Sequence, residues 1–191
     1  MAKIGLKGLT YAKVSGGGAD SAMTYTGGKT IPDLMIAANV TINRANVRQD
    51  ADNHKIESDN SITGVDVALE LARLPDDARE DLLGYEADTD GTLNVVGDAA
   101  PYVGFGYITM EVTSNVISYV AYWHHKMQFG MTDDKVQTKG ENMQYQSFNL
   151  TGSGMAVTLE PAGKVKWYAT HRATTEAEAR TWLNGKAGIS A

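Results

Sequence analysis

The densest run of chemically capable side chains lies between Arg44 and Asn60, where Asp50, Asp52, Asn53 and Asp59 are interspersed with His54, Lys55 and Glu57. Carboxylates so spaced suggest calcium. An EF-hand loop begun at Asp50 would need glycine at its sixth place and glutamate at its twelfth. Lys55 and Ser61 stand there instead. His54 and Glu57 invite a hydrolytic reading, but they do not complete the two-histidine metalloprotease spacing. The other histidines are His124, His125 and His171. Neighbours on a strand point to opposite faces, so His124 and His125 are poorly placed to share a metal. His125, with Trp123 and Met127 at period two, reads as a hydrogen-bonded core histidine. Cysteine is absent, which removes thiol nucleophiles, disulfides and zinc–cysteine sites and suits a reducing compartment.

The glycine motifs lead nowhere catalytic. Gly104-Phe105-Gly106 has Thr109 where a dinucleotide fingerprint needs its third glycine, and it lies in an aromatic strand pattern with no helix after it. Gly16 to Gly18 lack the lysine of a phosphate loop. Gly152-Ser153-Gly154 lacks nucleophile-elbow spacing. The pairs Asp76-Asp77 and Glu80-Asp81 read as a solvated helix face. Tyr119, Tyr122 and Trp123 resemble a base-stacking platform, which needs interleaved cations; only Lys126 is near in sequence. No catalytic residue, cofactor site or metal site is assigned.

The elements that must carry these residues are mostly strands. Ile4 to Val14 alternates and is interrupted at Gly8, a predicted bulge. An extended piece is expected near Thr30 to Met35, and Ala38, Val40 and Ile42 alternate with polar residues. From Arg44 to Asn60 only Val47 and Ile56 are large aliphatics, so this stretch cannot offset the entropy of ordering itself in isolation. It reads as a polar arm. Val65, Val67, Leu69 and Leu71 then restore alternation. A short helix is expected from Leu74, with Pro75 and acids in its first turn, to Gly84. Tyr102 to Glu111 and Val116 to Phe129 flank a Ser114-Asn115 hairpin turn; period two puts Tyr119, Ala121, Trp123, His125, Met127 and Phe129 on one face. Strands are expected at Gln144 to Leu150, Met155 to Glu160 and Val165 to Thr170. Thr175 and Glu178 form a capping box for a last helix with Ala179, Trp182 and Leu183 inward and Gly185 as its stop. The predicted fold is mainly β: a sandwich or barrel with one or two short helices and a long polar loop or hairpin arm that should order against a partner.

The chain has 191 residues, 42% hydrophobic and 21% charged, with net charge -6. That is a globular composition. The acidic balance disfavours gripping nucleic acid and is compatible with a surface that DNA slides past. No long apolar run follows Lys3 and no stretch of about 20 apolar residues occurs, so neither a signal peptide nor a membrane helix is expected.

The order of these pieces resembles the major tail tube proteins of long, non-contractile-tailed bacteriophages. The resemblance rests on Ile4-Gly5-Leu6-Lys7 leading to Tyr11-Ala12-Lys13-Val14; on Asp50 through Glu57, similar to the family's arm but with aspartate where tyrosine is common; and on Leu69 to Leu74 followed by Leu82-Leu83-Gly84-Tyr85. It continues through Tyr102 to Tyr107, Val120 to Phe129, and Thr174 to Leu183. It implies one domain over residues 1–191 with an arm at about 44–60. It implies a structural subunit rather than an enzyme: hexameric rings stacked into a hollow conduit for DNA ejection, meeting other tail proteins such as the tape measure and the tail terminator. DNA would pass the lumen without specific binding, and the protein would reside in the virion tail after synthesis and assembly in the host cytoplasm. The arm residues expected at the subunit interface are Arg44, Val47, Arg48, Asp50, Asp52, Asn53, His54, Lys55, Ile56, Glu57 and Asp59. The alternative is a β-sandwich ligand- or calcium-binding module.

Overall fold

A computed structural model describes residues 2–16, 23–32, 34–51, 54–91, 93–95, 100–133, 147–159 and 164–189. In chain order the elements are β1 (Ala2–Gly16), β2 (Thr24–Ile31), β3 (Met35–Arg44), β4 (Val47–Ala51), β5 (His54–Asp59), β6 (Ile62–Leu71), α1 (Asp76–Leu83), β7 (Tyr85–Ala87) and β8 (Leu93–Val95), followed by β9 (Tyr102–Thr113), β10 (Val116–Asp133), β11 (Phe148–Gly154), β12 (Val157–Leu159), β13 (Lys164–Lys166), β14 (Tyr168–Ala173) and α2 (Glu176–Ala187). Among the described residues eight strands form one antiparallel sheet. Its path is β2-β1-β9-β10-β11-β6-β3, with β14 added alongside the first half of β10. The sheet curls, so that β1 approaches β3.

The curl encloses the main core. Val65, Val67, Leu69 and Leu71 of β6 are buried, as their alternation predicts, and meet Leu9, Tyr11, Phe105, Phe129 and Leu150 with Ala78 and Leu82 of α1. On the other side of the sheet α2 lays Ala179, Leu183 and Ala187 over Ala12, Ile108, Ala121 and Trp123. The glycines of β9 make this layer possible. A Cβ on Gly104 would lie 2.3 Å from the Trp123 ring, and one on Gly106 would lie 2.7 Å from Leu183 Cδ2. The Gly-aromatic motif is therefore a packing device, which admits a tryptophan between strand and helix.

Local chemistry sets several boundaries. Gly8 has φ 62° and sits in a register shift between Lys7 and Thr10, so Leu6 before it and Leu9 after it both pack on the main core. Ser114 and Asn115 both take positive φ, 49° and 67°, the turn that a right-twisted hairpin favours. Thr175 caps α2 through a complete capping box with Glu178.

Four expectations need correction. First, the single face drawn through Tyr119 to Phe129 is broken by a bulge between His124 and Met127: Ala121 and Trp123 join the α2 layer, whereas Met127 and Phe129 enter the main core. The extra residues are held there because His125 N–H donates to Trp167 O at 3.3 Å and Lys126 O accepts from Met155 N at 2.8 Å. Second, Gly185 does not stop α2; the helix continues to Ala187 and Gly188 closes it in the left-handed conformation. Third, Asp81 is buried rather than solvated. Its carboxylate meets Lys13 at 2.7 Å and Lys29 at 2.8 Å, and Tyr11 Oη donates to it at 3.3 Å. Fourth, the strand expected to end at Leu150 runs on to Gly154, where Phe129 and Met127 lie over Gly152 and Gly154. Gln144 lies outside the described residues.

Candidate functional site

The arm is the distal half of a hairpin whose proximal half is the β3–β6 pair. In the body, Val40 pairs with Val67 and Ile42 with Val65. At the junction Arg44 Nη1 donates to Asn60 O at 3.1 Å and Ala45 N to Ser61 O at 2.8 Å. Asp59 accepts from both Ser61 N and Ser61 Oγ; these bonds hold its carboxyl below the usual range, the backbone donor having the larger effect. The ladder then resumes as β4 against β5, with Val47 opposite Asp59, Arg48 opposite Ser58, Gln49 opposite Glu57, Asp50 opposite Lys55 and Ala51 opposite His54.

Of the interface residues read from sequence, the structure thus gathers Arg44, Val47, Arg48, Asp50, His54, Lys55, Ile56, Glu57 and Asp59 on one two-stranded projection. Asp52 and Asn53 lie outside the described residues. Among the described residues neither β4 nor β5 bonds to any other strand. An isolated two-stranded ladder is marginal in water. Val47 and Ile56 are the arm's two large aliphatics, too few for a core of its own.

Beside the arm's root lies a surface that sequence patterning missed. β3 is an outer strand of the sheet, with Ile36 53% and Ile42 37% exposed. Ala38 and Val40 pack partly on the core, as their alternation suggests, but Ile42 does not. Between β3 and the start of β1 runs a cleft of about 670 Å³, lined by Leu6, Ile36, Val40, Tyr107, Tyr122 and His124 among others. Ile4, 55% exposed, lies on β1 nearby in sequence. An unpaired apolar edge of this kind is usually protected or used. The one sequence signal was the unbroken run Met35 to Ala38, which does not alternate. β2, at the far end of the sheet path, is tied down: Thr30 donates to Asn184 Oδ1 of α2 at 3.2 Å.

The remaining sequence candidates resolve into packing. Tyr122 stacks on Tyr107 at 5.2 Å with Lys3 Nζ 5.1 Å from its ring, and Lys126 lies over Tyr102. His171 stacks on Trp182 at 5.3 Å. His124 is buried among Phe105, Tyr107 and Tyr168. Burial pushes the His124 imidazole down to about 4, with His125 adding to it. Burial, then Lys186 and Lys166, push His125 down to about 4. Among the described residues both ring nitrogens of His124 and Nε2 of His125 have no hydrogen-bond partner, so His125, expected to be a hydrogen-bonded core histidine, lies in the core with its Nε2 unpartnered among the described residues. No helix of the described residues is long and apolar enough to cross a membrane.

A family model described as phage tail tube protein matches residues 21–178. The match takes in the arm, the β3 edge, the β9–β10 hairpin and the start of α2. No curated protein matches the chain.

Proposed function

Because the chain belongs to the phage tail tube protein family, we propose that it forms hexameric rings that stack into a hollow conduit for DNA ejection. The protein is a structural component of the virion tail, it self-assembles with other tail proteins, and it is not an enzyme.

The observation that carries this reading is the arm. It is a hydrogen-bonded hairpin with almost no apolar content of its own, rooted beside an outer strand with exposed isoleucines. We take residues 1–191 as one domain with this arm at about 44–60. Arg44, Val47, Arg48, Asp50, Asp52, Asn53, His54, Lys55, Ile56, Glu57 and Asp59 would then meet a neighbouring copy. Contacts between copies that repeat head to tail close into rings or extend into filaments, and a β3 edge offers backbone groups for a partner strand. The tape measure and tail terminator are the expected partners along and at the end of the tube. A net charge of -6 favours a lumen that DNA passes without sticking.

Electron microscopy tests this. Concentrated protein should give six-fold rings or tubes. A variant in which residues 46–60 are replaced by an Asn-Gly turn should fold and stay monomeric, because Ala45 and Ser61 already lie within hydrogen-bond distance. Tubes formed by the shortened chain, or a wild type that is monomeric at every concentration, would overturn the reading.

A further inference from the structure

On the α2 side of the sheet, away from the cleft beside β3, lies a second cavity of about 550 Å³. Tyr25, Trp123, His125, Leu159, Lys166 and Lys186 are among the residues that line it, and no described carboxylate does. This is unusual in a chain of net charge -6. Other lysines are neutralised where they stand: Lys7 by Glu176, Lys13 by Asp81, and Lys29 by Asp77 and Asp81. Among the described residues Lys166 has no carboxylate partner, and Lys186 rests over the Trp182 ring at 5.4 Å.

The polar floor of the cavity is otherwise satisfied. Trp123 Nε1 donates to Tyr25 Oη at 3.4 Å, and Tyr25 Oη donates to His125 O at 2.9 Å. His125 itself is only 5% exposed, yet its Nε2 has no partner among the described residues. A buried imidazole without a partner is costly. Here it sits beneath two ammonium groups close enough to depress its basicity. A bound oxyanion would satisfy all three: it would neutralise the lysines, accept from the ring N–H, and remove the repulsion that opposes protonation of the ring.

We propose that this cavity binds a phosphate group, held by Lys166 and Lys186 over the His125 ring. The volume exceeds what inorganic phosphate needs, so the cavity has room for the group either free or as a phosphate monoester; the two sources share the recognition chemistry and differ in what fills the remainder. Lysine is a point-charge phosphate ligand with no required bidentate geometry, which suits two side chains reaching in from β13 and from the end of α2. The assignment does not depend on rings or tubes and is tested on the soluble subunit.

The experiment is thermal unfolding of the full chain with inorganic phosphate or adenosine monophosphate, against chloride at equal ionic strength. Phosphate at ten times its Kd should raise Tm by about 4 °C. Lys166→Gln/Lys186→Gln, both at exposed positions, should abolish the rise. In the unaltered protein, NMR titration should show the His125 midpoint moving up with phosphate while His124 stays in place. A response to both anions identifies an ester-tolerant site, and a response to inorganic phosphate alone a free-anion site; either supports the assignment. It is overturned by no response at tens of millimolar, by an equal response in the double variant, by a His125 midpoint that phosphate leaves unchanged, or by a response confined to a single-stranded oligonucleotide.

Discussion

The two halves of the β3-to-β6 hairpin share one chain path but differ in their ladders and in their apolar content. In the proximal half every second residue of β6 is buried, from Val65 at 1% exposure to Leu71 at 0%. In the distal half the backbone pairs through five registered positions, with Val47 and Ile56 as the large aliphatics. Backbone hydrogen bonds exchange with water at little net gain, whereas buried apolar area gives about 25 cal/mol per Å². On this comparison pairing specifies the arm's shape, and under the proposed function a neighbouring copy keeps it in that shape.

The strongest way to break the comparison is to truncate apolar residues in each half. Leu69→Ala, in a fully enclosed site, should cost about 3 kcal/mol in urea unfolding of the free subunit. Val47→Ala/Ile56→Ala should leave that stability within about 0.5 kcal/mol while raising the concentration needed for assembly. Equal losses in the two variants would show that the arm is part of the body's cooperative unit.

Acid should weaken the body next. The folded state holds His124 and His125 neutral, with pKa values pushed down to about 4 from an unfolded value of about 6.5. The unfolded chain therefore binds protons that the folded chain refuses. Stability is complete above about pH 6.5 and falls as pH drops from there towards 4. The urea midpoint at pH 5 should lie below that at pH 7.5, and a flat profile would contradict the burial of both rings. Asp81 acts in a lower window. Although burial raises it, bonds to Lys13 and Lys29 bring its pKa below the usual value, so its contribution persists above the unfolded value and is lost below it.

A smaller effect is expected from Asp81→Asn, which leaves Lys13 and Lys29 without their shared carboxylate. It should cost about 2 kcal/mol, seen as a lower urea midpoint. Asp59→Asn, at the exposed root of the arm, should leave unfolding of the free subunit unchanged. A loss at Asp59 as large as that at Asp81 would place the arm's root inside the body's core energetics.

What could be read from sequence was what local chemistry decides. The capping box at Thr175, the turn at Ser114-Asn115, the bulge at Gly8 and the alternation of Val65 to Leu71 each depend on residues within a few positions. The arm was legible for a related reason: a long polar stretch has nothing local to pack. The bulge after His124 was not legible, because no special residue marks it; it is imposed by Trp167 and Met155 from elsewhere in the chain. Asp81 looked solvated because its lysines come from β1 and β2. Gly185 and Gly188 are both plausible stops, and only contact of Ala187 with the sheet decides between them. The β3 edge escaped notice because edge position is a property of strand order, which alternation does not encode.

Amide hydrogen exchange through Val47 to Asp59, compared between free subunit and assembled tube, tests the dependence of the arm on its neighbour. Exchange in the free subunit should be fast beside that of β6, and assembly should slow it by at least about 100-fold. Arm amides already as protected as those of Val65 to Leu71 in the free subunit, or unchanged on assembly, would contradict the account.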